Sequence, residues 1–335
     1  MKIAIHHRQG SFSERWIKYC KKNAIDFKLV NAFDNNIIEQ LADCDALLWH
    51  HHHAQYKDVL TAKRILFALE HAGIKVFPDF KTGWHFDDKV AQKYLLEAIN
   101  APIVPSYVFY DKKQAIDWAK RTTYPKVFKL KGGAGASNVK LVRDFSQAIV
   151  LINKAFGRGI AQFDRLGHFK ERFNKFRSGK DTFIGVLKGF ARIFIVPEFS
   201  KKQPPEKGYI YFQDFIENNN FDTRVIVINS EFAAAEKRFV RKGDFRASGS
   251  GLFSYEDINI DLIKVAFEVA SKLNLQSVAF DFILDGNNKP LIIEISYGFG
   301  TSGIGKVLGY WDRNLIWHKN NFKFEDWIIQ NLIKN

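Results

Sequence analysis

The chain has 335 residues, 46% of them apolar and 26% charged, with a formal net charge of +14 and a pI near 9.5. That length supports a large core and more than one domain. No apolar run reaches the roughly 20 residues that a membrane-spanning helix needs. The opening "MKIAIHHRQGS" lacks the apolar centre of a signal peptide, so a cytoplasmic protein is expected. Two cysteines, Cys20 and Cys44, offer neither a disulfide framework nor zinc-binding spacing. The positive charge is spread along the chain and implies an acidic partner or a basic solvated surface.

The first part alternates strand signals ("KIAI", "FKLV", "DALLW", "IKVF") with helical ones ("FSERWIKYCKK", "NNIIEQLA", "YKDVLTAKRILFALEHAG"). This is the pattern of an α/β domain with a parallel sheet, expected over residues 1–85. Ligands of such sheets lie beyond the carboxyl ends of the strands. The run His50–His53 follows "DALLW" at such an end. Adjacent residues point to opposite faces, so polar loop residues or substrate contacts are favoured over a metal centre.

A second unit, residues 86–208, opens with a helix capped by Asp87 or Asp88 and ending about Asn100. "PSYVFY", "KKQAIDWAKRT", "KVFKL", "NVKLV" and "SQAIVLINKAF" follow as alternating strands and helices. Within "HFKERFNKFRSGK", the spacing of Phe169, Phe173 and Phe176 predicts a buried helical face rather than a nucleic-acid contact. Residues 209–335 are rich in strands: "GYIYFQDFI", "DTRVIVIN", "EFAAAEKRFV", "SVAFDFIL" and "PLIIEIS". The helices "IDLIKVAFEVASKLN" and "FEDWIIQNLIKN" accompany them.

In "KVFKLKGGAGASNVKL", the glycines are followed by a strand and not by a helix. This excludes a Walker loop and a dinucleotide fingerprint, both of which place phosphate at a helix N-terminus. What remains is a glycine-tipped hairpin. Gly132, Gly133, Gly135 and Ser137 can bring backbone N–H groups to phosphate oxygens, with Lys129 as a point charge. Taken alone, the glycine cluster favours a plain mobile hairpin over a phosphate cradle.

In "AFDFILDGNNKPLIIEIS", two strands flank a turn, and Asp281 and Glu294 lie equally far from the Asn287–Asn288 centre. A regular hairpin makes them cross-strand partners with Cβ atoms about 5 Å apart. Facing carboxylates repel unless a cation lies between them, and magnesium takes such oxygens, with Ser296 on the same face. The alternative is a bulge near Pro290 that breaks the register and gives Glu294 to an arginine. Asp222, Arg224, Arg238 and Arg246 fall on strands or a strand end, where arginine suits bidentate contacts to phosphate or carboxylate.

Taken together, "DDK", "VFKLKGGAGASNV", "YFQDFIENNNFDTRVIVI", "EKRFVRKGDFRASGSG" and "AFDFILDGNNKPLIIEIS" resemble the ATP-grasp superfamily. The branch they are most similar to contains the ribosomal-protein glutamate ligase and the glutathione synthetases. The resemblance implies an N-terminal α/β domain and two α+β subdomains that clasp ATP between them. It further implies that Lys89 and Lys129 hold the ATP phosphates under a flap from Gly132 to Ser137. Gln213, Asp214, Phe215 and Ile216 would hold adenine, Asp222 would lie near the ribose, and Arg246 to Ser248 would contact the nucleotide. Arg224, Arg238 and Arg246 would face the reacting groups. Asp281, Glu294 and Ser296 would bind magnesium, or manganese in its place.

Three departures stand out: Ser296 and Ser248 replace asparagines, and "ISYGFG" replaces the usual proline and glycine ending. The implied activity joins a carboxylate to an amine through an acyl phosphate. The substrates would be small and acidic, and homodimers are common in the family. A small-molecule kinase and a basic nucleic-acid-binding protein are the alternatives.

Overall fold

The computed structural model describes residues 1–132, 138–162, 173, 176, 182, 204–241, 244–247 and 249–334. Two compact units emerge: residues 1–104 with 216–335, and residues 105–215.

The larger unit begins with a four-stranded parallel sheet of order β2-β1-β3-β4. Its strands are β1 (Lys2–His6), β2 (Asp26–Val30), β3 (Ala46–Leu48) and β4 (Lys75–Phe77). Helices α1 (Ser13–Lys22), α2 (Ile37–Gln40) and α3 (Tyr56–His71) connect them. In α1, Trp16 and Cys20 are buried one turn apart, as an amphipathic stripe requires. The short α4 (Phe80–Gly83) leads to α5 (Lys89–Ala98), where the Asp88 carboxylate accepts from the Val90 and Ala91 backbone N–H groups. That cap is the one expected from "DDK".

The smaller unit carries an antiparallel sheet of order β5-β8-β6-β7. Its members are β5 (Ser106–Phe109), β6 (Lys126–Lys129), β7 (Lys140–Val142) and β8 (Ile210–Asp214). Helices α6 (Lys112–Arg121) and α7 (Phe145–Ala155) pack on it through Ala115, Ala119, Ala148 and Ile152. The strand from "GYIYFQDFI" therefore pairs with strands that precede it by more than 80 residues.

The chain then returns to the larger unit. There β9 (Phe221–Ile228), β10 (Phe232–Phe239), β11 (Phe253–Ser254), β12 (Ser277–Leu284), β13 (Pro290–Ser296), β14 (Tyr310–Asp312) and β15 (Trp317–His318) form a seven-stranded sheet. Helix α8 (Ile260–Leu273) starts at Asn259, whose side chain accepts from the Asp261 N–H. It ends at Asn274 in the left-handed region (φ 52°), where asparagine is tolerated. The short α9 (Thr301–Ile304) and α10 (Phe324–Lys334) complete the unit. None of the described helices is long and apolar enough to cross a membrane.

Strand alternation divides the large sheet into two faces. Val225, Val227, Ala233, Ala235, Phe280 and Phe282 join α8 in one core. The other face begins apolar, with Ile226, Ile228, Ala234 and Ala279 packed toward Trp16, Phe77 and Tyr297. Farther along the same strands, that face becomes charged. Of the basic segment 168–180, only Phe173 and Phe176 are described, and both are exposed where a buried face is predicted.

Candidate functional site

The charged end of the second face is assembled by register. Glu236 on β10 lies opposite Arg224 on β9, Arg224 lies opposite Asp281 on β12, and Asp281 lies opposite Glu294 on β13. Four neighbouring strands thus carry one acid–base–acid–acid row. Arg238 and Asp222 are partners in the adjoining row.

The Asp281–Glu294 pairing is present, although the hairpin is not regular. Asp285 N–H donates to Lys289 O (2.9 Å), which centres the turn on Asn287. A bulge at Ile293 then separates the Phe282–Ile292 and Asp281–Glu294 pairs. The two irregularities compensate, so counting from Asn287–Asn288 reaches the right partners.

What surrounds these acids differs from a bare carboxylate pair. Arg224 grips Asp281 in bidentate fashion (Nε–Oδ1 2.8 Å, Nη2–Oδ2 3.0 Å), and Arg238 adds a contact at 2.7 Å. Arg238 also holds both oxygens of Asp222 (2.6 and 2.7 Å). Asp222, expected beside a ribose, is therefore buried and engaged by arginine. Glu294 is half-buried and faces Lys89 Nζ at 3.5 Å, so Lys89 lies on this acid rather than apart from it. The Ser296 hydroxyl donates to Gly298 O (2.6 Å). Arg246 pairs with Asp244 (2.6 Å) in the loop after β10. Gly133, Gly135, Ser137 and Ser248 lie outside the described residues.

Electrostatics distinguish the carboxylates. Burial opposes ionisation of Asp281, but Arg224 and Arg238 overcome it and hold the group below the usual range. Burial pushes Asp222 upward against the pull of Arg238. Glu236 is 2% exposed, its Oε2 lacks a hydrogen-bond partner among the described residues, and burial raises it to about 7. A Cβ at Gly303 would come within 2.0 Å of that oxygen, so only glycine admits the close approach. Sequence reasoning chose Arg238 from "EKRF" and passed over Glu236. The period-two spacing within that motif is the signal that places both on one face.

The donor chemistry fits a hard divalent cation, because carboxylate and hydroxyl oxygens are what magnesium takes. Glu294 is the better placed donor, being half-buried with Lys89 as its ion-pair partner, whereas two guanidiniums already compensate Asp281. Among the described residues, no three or more His, Cys, Asp or Glu side chains converge as a metal set.

In the smaller unit, Lys129 is buried and donates to Gln213 Oε1 (2.6 Å). Gln213 in turn donates to Ser106 Oγ (3.1 Å). Asp214 pairs with Lys126 (2.6 Å), a partner not foreseen from the sequence. Gly132 is buried just past β6. Phe215 closes this unit and Ile216 opens the return to the larger one.

The histidine run leaves β3 and turns inward. His50 and His51 are buried, with His50 stacked on Phe12 at 3.7 Å between ring centres. Burial depresses His51 to about 3 and His52, His53 and His85 to about 4, and lowers His50 well below 6.5. The unfolded chain takes these protons first, so stability is complete above the ordinary histidine range and is lost as pH falls through it. By pH 5 one such ring contributes at most the gap between its ordinary pKa and the pH, about 2 kcal/mol. Several rings act in the same direction, against a whole margin of about 5–15 kcal/mol. Asp58, Glu70, Asp79, Asp222, Glu236 and Glu325, whose carboxyls burial raises, act with the opposite sign and offset part of this. Urea unfolding is expected to show much lower stability at about pH 5 than at about pH 7.5. Equal stability at the two values contradicts this reading.

Residues 203–314 match the RimK-like ATP-grasp domain family. Over 105 residues the chain is 33% identical to the ribosomal protein bS6–L-glutamate ligase of Escherichia coli, covering 30% of this chain and 35% of the relative. The chain thus spans about a third of the first curated relatives it matches. A longer match, 23% identical over 69% of this chain and 68% of the relative, is to the alpha-aminoadipate–LysW ligase LysX of Saccharolobus solfataricus. Among solved structures, D-cycloserine synthetase DcsG shares the fold. It gives a TM-score of 0.61 at 12% identity over 99% of this chain and 100% of that one.

Proposed function

From the premise that this chain is an ATP-grasp protein with a RimK-like domain over residues 203–314, we propose that it is an ATP-dependent carboxylate–amine ligase. The observation that supports this best is the Glu236–Arg224–Asp281–Glu294 row. A row of buried charges is costly to maintain and clusters where charge must be handled during chemistry.

In this reading, a carboxylate oxygen of one substrate attacks the γ-phosphorus of ATP and ADP leaves. The nitrogen of the amine substrate then attacks the acyl carbon, and phosphate departs as the amide forms. Arg224 and Arg238, whose forks hold Asp281 and Asp222, supply the positive potential that stabilises negative charge on the transferring group. Lys129 and Lys89 bind the polyphosphate as point charges. The glycine segment 132–137 covers the phosphates and excludes water that would hydrolyse the acyl phosphate. Gln213–Ile216 hold the base, with Arg246 as a further nucleotide contact. Magnesium, held by Glu294 and Asp281 with Ser296 beside them, neutralises phosphate charge when bound.

The test is incubation with ATP, magnesium and a panel of carboxylates paired with amines. ADP and an amide product in equal amounts are expected. A stable phosphorylated product with no amide under any pairing would identify a kinase instead.

A further inference from the structure

Two segments not used by the proposed chemistry, the histidine run and the residues after Ser296 in "ISYGFG", meet in the larger unit. Tyr297 donates its hydroxyl to His51 O (2.6 Å), and its ring lies 4.9 Å from the His51 ring. A Cβ at Gly298 would lie 3.1 Å from His50 Nε2. The segment after β13 is therefore the wall against which the histidines pack. Phe86 lies against His51, His53 and Tyr297 at 5.1, 6.2 and 4.6 Å. Three residues on, Lys89 reaches Glu294. The His52 and His53 rings lie 4.2 Å apart, tilted by 33°, and are only half-buried, at the carboxyl end of β3.

Arg8 stands at the carboxyl end of β1, the neighbouring strand. Its loop is fixed: the backbone N–H of Arg8 donates to Ser13 Oγ (3.1 Å), and the Phe12 N–H donates to His50 Nδ1 (3.2 Å). Its Nε is buried without a hydrogen-bond partner. Arg15, Arg224, Arg238 and Arg246 each hold a carboxylate, whereas among the described residues none pairs with Arg8. The acids nearby are already engaged: Asp58 accepts from the His52 N–H (2.7 Å), and Glu294 meets Lys89. Lys63 adds positive charge while donating to Trp84 O and Phe86 O (2.8 and 3.0 Å). Arg8 feels the charge of one carboxylate, Asp58, which is not in ion-pair contact with it. A half-buried guanidinium near His52, with its Nε unsatisfied, can take one further anion.

We propose that Arg8, with His52 and His53, binds an anionic group of the ligase's carboxylate substrate, which therefore carries a second negative group besides the one that is phosphorylated. This rests on the ligase reading only for the anion's role as substrate; the anion site is measurable by itself. Ligands of parallel sheets lie beyond the carboxyl strand ends, which is where these residues stand.

Glutarate is the probe, titrated into the full-length chain while the imidazole ¹H–¹⁵N resonances are followed. Saturable shifts of His52 and His53 are expected, with the midpoint at least about tenfold higher in Arg8→Gln and intermediate in Arg8→Lys. Lys264→Gln, an exposed lysine on α8, should leave the midpoint unchanged. Unmoved His52 and His53 signals in the unaltered protein overturn the proposal, as does an equal midpoint in Arg8→Gln. An equal loss in Lys264→Gln does so too. ADP formation is scored separately, so a protein that binds glutarate at Arg8 yet forms no amide refutes the ligase reading and leaves the anion site standing.

Discussion

Arg238→Gln is expected to lower the stability of the larger unit by about 3–5 kcal/mol, the cost of breaking a buried ion pair by removing one partner. Arg238 is 5% exposed and is the cation shared between Asp222 and Asp281. Without it, Arg224 alone faces Asp281, Glu236 stays buried beside them, and Asp222 loses its bidentate partner. Glutamine fills much of the space, so the loss reports charge rather than packing. Arg246→Gln is the comparison. Its pair with Asp244 lies in a loop and is more exposed, so about 1 kcal/mol or less is expected there. Urea unfolding of both variants at neutral pH measures the contrast. Equal effects would mean that the strand row contributes no more than a surface pair.

The largest effect on activity is expected from Glu294→Gln, with kcat/KM for ADP formation falling about 10²–10³-fold while stability changes little. Glu294 is half-buried and meets Lys89 at 3.5 Å, a looser contact than the bidentate pairs of the strand row, so its loss costs less than breaking one of those. Its proposed work is with magnesium and the polyphosphate. A matching rise in the magnesium concentration for half-maximal activity is therefore expected. Full activity at ordinary magnesium would remove Glu294 from the metal site. Lost activity together with a large drop in stability would make its role structural.

Much of the fold was legible because local periodicity is a local property. The alternation in "DTRVIVIN" and "SVAFDFIL", and the cap before Lys89, depend on nearest neighbours along the chain and match β9, β12 and α5. The pairing of Asp281 with Glu294 was also legible, since a hairpin relates residues only 13 apart in the chain. Glu236 was not singled out. Its meaning depends on Arg224 across the strand pair and on Gly303, far along the chain, closing over its carboxylate. The strand Ile210–Asp214 reads as a strand from its own residues, but nothing local says that it pairs with β5 and β6.

By itself, then, the amino-acid order determined which segments are strands and helices, which acids share a hairpin, and the five motifs of the ATP-grasp resemblance. Only the tertiary structure decided how those charges are answered. It gives Asp281 to two guanidiniums, Asp222 to Arg238 and Glu294 to Lys89, and it leaves Arg8 without a carboxylate in ion-pair contact among the described residues. The physical reason is that a charge's partner is set by through-space distance and burial. Both arise from strand register and packing between segments that the chain itself keeps far apart.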